Sequence, residues 1–140
     1  MSFYLDTSIL FSLFVEDAHS PRADAWFEAK PRGVTVSAWA GAEFAAVIRR
    51  LQRSGELTAG AGRELLAAFD AWRREHAGGL DLNPAAGVLA ENLARDVSHK
   101  LSAADALHLA LAVAAGAGLV TFDERLAAAA KAKKCKVEKI

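Results

Sequence analysis

Residues 101–126 read LSAADALHLALAVAAGAGLVTFDERL, and their pattern decides the fold. Ser102 is a helix-capping residue type, and apart from Asp105 and His108 the positions after it to about Ala115 are apolar. Gly116 and Gly118 close that helix. Leu119-Val120-Thr121-Phe122 then reads as a strand ending at Asp123. A helix of ~14 residues spans about 21 Å, and a strand of ~5 residues about 16 Å. The chain runs down as helix and returns as strand. Asp105, in the first helical turn, is thereby carried toward the edge where Asp123 lies.

Outward from this unit the alternation repeats. Downstream, a helix of about residues 124–134 precedes a short strand, Lys136 to Glu138. At the start, Phe3-Tyr4-Leu5 reads as a strand ending at Asp6, followed by a helix from Ile9 to Val15. Asp17 to Pro21 is a turn, and Ser20 with Pro21 looks like an N-cap with proline opening a helix to Ala29. Pro31 and Gly33 break that helix. Val34-Thr35-Val36 is β-branched and predicts a second strand.

Ser37 then caps a helix over residues 38–53, whose apolar face is Ala40, Phe44, Val47, Ile48 and Leu51. Gly55 ends it, and Thr58 starts a helix to about His76, so the two form a helical hairpin. Gly78-Gly79 leads to a short strand, Leu80 to Leu82, and Pro84 opens a helix to about Asp96. Strands alternating with helices imply parallel pairing and a three-layer α/β/α architecture. We expect a mainly parallel central sheet of about five strands, in one domain over residues 1–140.

Composition bounds the function. The 53% hydrophobic fraction supports a packed core and argues against disorder. Cys135 is the single cysteine, which excludes an internal disulfide and a multi-cysteine metal site. It reads as a buried or incidental thiol. The first residues lack a basic stretch and meet Asp6 early, unlike a secretory signal. The longest stretch free of Asp, Glu, Lys and Arg, residues 106–122, contains His108 and two glycines and is too short to span a bilayer. These features predict a soluble cytoplasmic protein.

In open parallel sheets, ligands bind beyond the carboxyl ends of the strands. Asp6 and Asp123 each follow a strand, and Asp105 starts the helix leading to the strand before Asp123. Glu43 lies about two turns into the helix after the second strand, at the border of its buried face. Thr7 and Ser8 add hydroxyls. Each acid also has an ordinary reading. Asp6 and Asp123 could cap the helices they precede. Asp105, three after Ser102, could complete a capping box, and Glu43 could be a solvated helix residue. Four acids converging on one edge repel each other unless a cation lies between them. Their oxygens suit the hard cations Mg²⁺ and Mn²⁺, and the chemistry that follows is metal-assisted phosphodiester hydrolysis. There is no Gly-rich Lys-Ser/Thr phosphate loop and no Gly-x-Ser-x-Gly elbow. An aspartyl-nucleophile phosphatase would need a second aspartate two positions after Asp6, where Ser8 stands.

Several segments together resemble the PIN-domain ribonucleases, specifically VapC-type toxins of bacterial and archaeal toxin–antitoxin pairs. They are Phe3-Tyr4-Leu5-Asp6-Thr7-Ser8, Glu43 in its helix, Leu101 to Ala110, and Thr121-Phe122-Asp123-Glu124-Arg125-Leu126. The resemblance implies a Mg²⁺- or Mn²⁺-dependent endoribonuclease with Asp6, Glu43, Asp105 and Asp123 as its acidic quartet. Thr7, Ser8 and Thr121 would support them. It also implies a homodimer, and a small VapB-like antitoxin whose tail blocks the site, often with a basic side chain. A housekeeping PIN-type nuclease of RNA processing and a catalytically silent α/β binding module are the alternative readings.

Other residues have weaker claims. His108 reads as a packing histidine hydrogen-bonded locally, or as an assistant to the site. Lys100 and Arg125 flank the acids and could grip phosphate, or be solvated charges. Arg49, Arg50 and Arg53 suit the end of a helix dipole without any RNA. Lys131, Lys133, Lys134, Lys136 and Lys139 form a basic tail that could contact RNA or simply solubilise the chain. Trp26, Phe27, Trp39, Phe69 and Trp72 read as mostly core. Phe11 and Phe14, or the hairpin of residues 38–76, could offer a groove to a partner helix. The charges sum to zero, 17 basic against 17 acidic, which argues against broad electrostatic RNA binding. It is compatible with a negative site that attracts phosphate only once a cation is bound.

Overall fold

The computed structural model describes residues 2–29, 33–138 and 140. It contains β1 (Phe3–Leu5), α1 (Thr7–Phe14), α2 (Ser20–Ala29), β2 (Val34–Ser37), α3 (Ala38–Arg53) and α4 (Ala59–His76). These are followed by β3 (Ala77–Leu80), α5 (Pro84–Ala94), α6 (Ala103–Ala114), β4 (Gly118–Val120), α7 (Glu124–Ala132) and β5 (Val137–Glu138). The five strands form one sheet in the order β3-β2-β1-β4-β5. Every pairing is parallel.

Strand alternation sorts the side chains into two layers. Tyr4 and Leu119 face a core built with Leu93 of α5, Leu109 and Leu111 of α6, and Leu126 of α7. Phe3, Leu5, Val36 and Val120 face the opposite core, which holds Ile9, Trp26, Phe44 and Phe69 from α1, α2, α3 and α4. Phe14 packs partly buried against this second core, edge-on to Phe44, Phe69 and Trp72.

The differences from expectation sit at element ends. The first helix begins at Thr7 rather than Ile9, because the Asp6 carboxylate caps it by accepting from the Ile9 N–H at 3.2 Å. Ser20 lies within α2 rather than capping it, and its hydroxyl accepts from the Asp17 N–H at 2.9 Å. Of the expected breakers after α2, Gly33 takes a positive φ of 61°, while Pro31 lies outside the described residues, as does Lys139 of the tail. The third strand is Ala77–Leu80, not Leu80–Leu82. Gly78 and Gly79 are paired with Thr35 and Val36 inside the ladder rather than forming a turn before it. The fourth strand is Gly118–Val120, so Thr121 and Phe122 separate it from Asp123.

β1 is the middle strand. The chain builds outward to β2 and β3 on one side, then returns to lay β4 and β5 on the other. The strand order therefore reverses between β1 and β4, and the carboxyl ends of those two strands form the topological switch point. No helix among the described residues is long and apolar enough to cross a membrane.

Candidate active site

The switch point is organised around three consecutive residues. Asp6 leaves β1 with its backbone N–H on Val120 O of β4 at 3.2 Å. Its carboxylate is 4% exposed. Oδ1 accepts from the Ser8 hydroxyl at 2.6 Å and from the Ile9 N–H, and Oδ2 accepts from the Thr121 hydroxyl. Burial raises the Asp6 carboxyl above its ordinary range, against the pull of those hydroxyls and of His108. Lysine and arginine form no ion pair with Asp6 among the described residues. A buried carboxylate held by hydroxyls and a backbone N–H is an oxygen-rich place that a cation would stabilise.

Thr7, on the next residue, turns to the second acid. Its hydroxyl donates to Glu43 Oε1 at 2.7 Å. The same oxygen accepts from His108 Nε2. Burial alone would raise the half-buried Glu43 carboxyl, but the His108 and Thr7 hydrogen bonds outweigh it and hold the group below the usual range. Ser8 closes the turn from the other side by accepting from the Phe122 N–H at 3.1 Å.

Asp123 is joined through Thr121, whose hydroxyl oxygen accepts from the Asp123 N–H at 2.9 Å. One carboxylate oxygen of Asp123 caps α7, accepting from Leu126 N–H at 2.9 Å. The capping reading thus holds for Asp6 and Asp123, and neither is spent by it, since a carboxylate offers about four acceptor positions. Asp105 is half-buried in the first turn of α6. Ser102 accepts from its N–H at 3.1 Å, whereas the Asp105 carboxylate returns no bond, so the capping box is half made. Asp105 shares a helix face with His108, three residues on.

Hydrogen bonds therefore link Asp6, Ser8, Thr121 and Asp123 around one edge, while Thr7 belongs to a second set with Glu43 and His108, and only the backbone between Asp6 and Thr7 joins the two. Asp105 is adjacent along α6 but unbonded. No three His, Cys, Asp or Glu side chains among the described residues stand close enough to hold one ion between them. The four acids expected to converge therefore do not close around a single point in this structure.

A cleft of about 440 Å³ opens beside the turn, lined by Thr7, Ser8, Phe11, Arg50, Phe122 and Asp123. A second, of about 430 Å³, shares Phe122 and Asp123 and extends past Arg22 to Lys131. His19 belongs to both and stacks on Phe122 at 4.5 Å, with Arg22 over that ring at 5.1 Å. Lys100 and Arg125 are exposed and line neither cleft. The cations of the clefts are Arg22, Arg50 and Lys131. Arg50 was legible only as a helix-end charge, and nothing local marks Arg22.

His108 is 2% exposed, and its bonds are not local. Nδ1 meets the Tyr4 hydroxyl at 2.8 Å, and Nε2 meets Glu43 from another helix. Cys135 is half-buried, and burial pushes its thiol up.

Comparison with known proteins converges on one family. Residues 3–132 match the PIN domain. The Mycobacterium tuberculosis toxin VapC20, described as cleaving the sarcin-ricin loop, superposes with a TM-score of 0.73 at 23% identity, covering 91% of this chain and 95% of its own. FitAcB from Neisseria gonorrhoeae gives 0.71 at 19% identity, over 98% and 96%. VapBC2 from Rickettsia felis, bound to a fragment of its promoter DNA, gives 0.69 at 17% identity, over 99% and 98%. No curated protein sequence matches the chain significantly.

Proposed function

The chain belongs to the PIN-domain family, and from that premise we propose that it is a Mg²⁺- or Mn²⁺-dependent endoribonuclease acting as the toxin of a type II toxin–antitoxin pair. The observation that carries the proposal is Asp6. It is a buried carboxylate at the switch point, held by two hydroxyls and paired with no lysine or arginine among the described residues. Asp6, Glu43, Asp105 and Asp123 are the acids from which one or two carboxylates at a time would hold a cation, with water completing its shell. A divalent cation supplies Lewis acidity toward a phosphodiester and acidifies water. The chain's own residues do the rest. Ser8 and Thr121 orient Asp6, and Thr7 orients Glu43.

The toxin reading draws on the solved relatives, which are VapC and FitAB-type proteins, several in complex with a partner. In this chain the partner would be a small VapB-like antitoxin, its tail lying in the cleft with a basic side chain toward the acids. Leu82 and Val88, both more than half exposed, would suit burial in a homodimer. We take residues 1–140 as one domain working in the cytoplasm.

Purified protein should cleave RNA in Mg²⁺ or Mn²⁺, stop in EDTA, and resume when the metal is restored. Cleavage that survives chelation would sink the metal mechanism. Within the cleft, Arg50 is the cation beside Thr7 and Ser8. Arg50→Ala should raise the KM for RNA about tenfold with kcat nearly unchanged, because a hydrogen bond to a charged group contributes roughly 1.5–3 kcal/mol. The same change at Lys100 or Arg125 should do less. Equal losses at all three would assign phosphate binding to a diffuse field.

A further inference from the structure

We infer that Tyr4 and His108 are positioning residues, which aim Glu43 through a hydrogen-bond chain that starts at Ser37 in β2. The inference rests on Glu43 being one of the acids that hold the cation. The chain crosses the sheet. Ser37 Oγ lies 2.8 Å from the Tyr4 hydroxyl, the Tyr4 hydroxyl 2.8 Å from His108 Nδ1, and His108 Nε2 is bonded to Glu43 Oε1. Tyr4 and Ser37 are 0% exposed, so water does not compete for these bonds.

A carboxylate has no proton to give, so His108 Nε2 must carry hydrogen and donate to Glu43. With a neutral ring, Nδ1 accepts and Tyr4 donates to it; with a charged ring that bond and the Tyr4–Ser37 bond reverse, and in both cases every link stays made. With the neutral ring the Tyr4 oxygen is left to accept from Ser37, whose own oxygen accepts from the Ala40 N–H at 3.0 Å, capping α3. The helix that carries Glu43 is therefore capped by the residue that begins the chain ending on Glu43. The Tyr4 and Ser37 hydroxyls each make two of these bonds, and every polar side-chain atom from Ser37 to His108 in this series is partnered.

Packing alone does not call for these residues. Position 4 lies between Phe3 and Leu5, and position 108 between Leu107 and Leu109. Phenylalanine and leucine would fill both places without polar atoms to satisfy. What the polar pair adds is control over Glu43. Both bonds to that carboxylate fall on Oε1. Oε2 has no partner among the described residues and remains free for a ligand. A flexible side chain is thus held with one oxygen anchored and one presented. Outer partners of this kind change metal affinity about 10–100-fold when removed.

The test is Mn²⁺ binding without RNA, followed by calorimetry and by the electron paramagnetic resonance of the free ion. Glu43→Gln and His108→Leu should each weaken binding about 10–100-fold. The double variant should be no weaker than Glu43→Gln alone, because His108 acts through Glu43. His108→Gln should recover part of the loss by returning an N–H near Oε1. Tyr4→Phe should weaken binding about threefold to tenfold and lower the melting temperature by several degrees, because Ser37 and His108 each lose a buried partner, and with His108→Gln it keeps the test open if His108→Leu does not fold. If Glu43→Gln weakens binding and the His108 and Tyr4 variants match the wild type, the positioning role is overturned. If Glu43→Gln itself binds Mn²⁺ normally, the assignment of Glu43 to the cation falls, and this inference with it.

Discussion

Asp6→Asn should abolish RNA cleavage while making the metal-free protein more stable at neutral pH. The activity loss follows from charge. Asparagine keeps the shape and one oxygen but gives a cation no negative partner. If the ion contributes several kcal/mol to stabilising the transition state, the loss is about 10³-fold or more, at tenfold per 1.36 kcal/mol. The stability gain follows from burial. The Asp6 carboxyl sits above its ordinary value of 3.8 because desolvation outweighs its hydrogen bonds. Over the interval above 3.8 the folded chain holds a proton that the unfolded chain has released. Stability from this group is therefore full at acid pH and is lost as pH rises through the raised value. At pH 7 the wild type has lost that stability, whereas Asp6→Asn, which does not titrate, has not. In EDTA the variant should melt higher at pH 7, by roughly 3–5 °C per kcal/mol relieved, and the gap should close as pH falls toward 4. A variant that melts lower at pH 7 would show that the carboxylate is no electrostatic burden. An acid that costs stability when bare and is needed when loaded is what an ion-holding site requires.

The parts of this site that were legible in the sequence are those whose chemistry is local. Ser37, Thr58 and Ser102 announce helix starts, and each caps the helix it precedes. Asp6-Thr7-Ser8 could be read as an acid with hydroxyls at the end of a strand, and the hydroxyls do act on acids. It was not readable that Ser8 serves Asp6 while Thr7 serves Glu43, because side-chain direction at the start of a helix is set by backbone geometry. Gly78 and Gly79 misled for a physical reason. Glycine usually marks a turn and weakens a strand, but here the backbone pairing of Gly78 and Gly79 with Thr35 and Val36 holds them in the ladder without any side-chain contribution. The Tyr4–His108–Glu43 chain has no local trace. Its members are contributed by β1, α6 and α3, and they meet only because α6 packs on the Tyr4 face of the sheet. A histidine among leucines on one helix looks the same whether its partner is a carbonyl four residues away or a carboxylate on another helix.

Phe44→Ala should cost about 3–5 kcal/mol of folding stability, the usual penalty for emptying a buried phenylalanine site. The ring is 0% exposed. Its centroid lies 4.6 Å from Phe69 and 5.6 Å from Phe14, both tilted or edge-on, and such pairs add about 0.5–1.5 kcal/mol beyond area burial. Those neighbours are themselves linked, Phe14 to Phe69 and to Trp72 at 5.6 Å each. The cavity cannot collapse without breaking the rest of the cluster. Against a total of about 5–15 kcal/mol for a domain, the loss leaves a marginal fold. The check is urea unfolding, where the midpoint should fall sharply with the slope unchanged. Phe44→Leu, which refills most of the volume, should cost less than half as much. The residue matters to the site because it immediately follows Glu43. Phe44 fixes the rotation of α3 by filling the core, and one step around the helix that rotation places Glu43 at the switch-point edge. Under conditions where Phe44→Leu remains folded, its Mn²⁺ affinity should stay within a fewfold of the wild type. A large loss of affinity in that stable variant would mean that core packing, and not the Thr7 and His108 bonds, sets the position of Glu43.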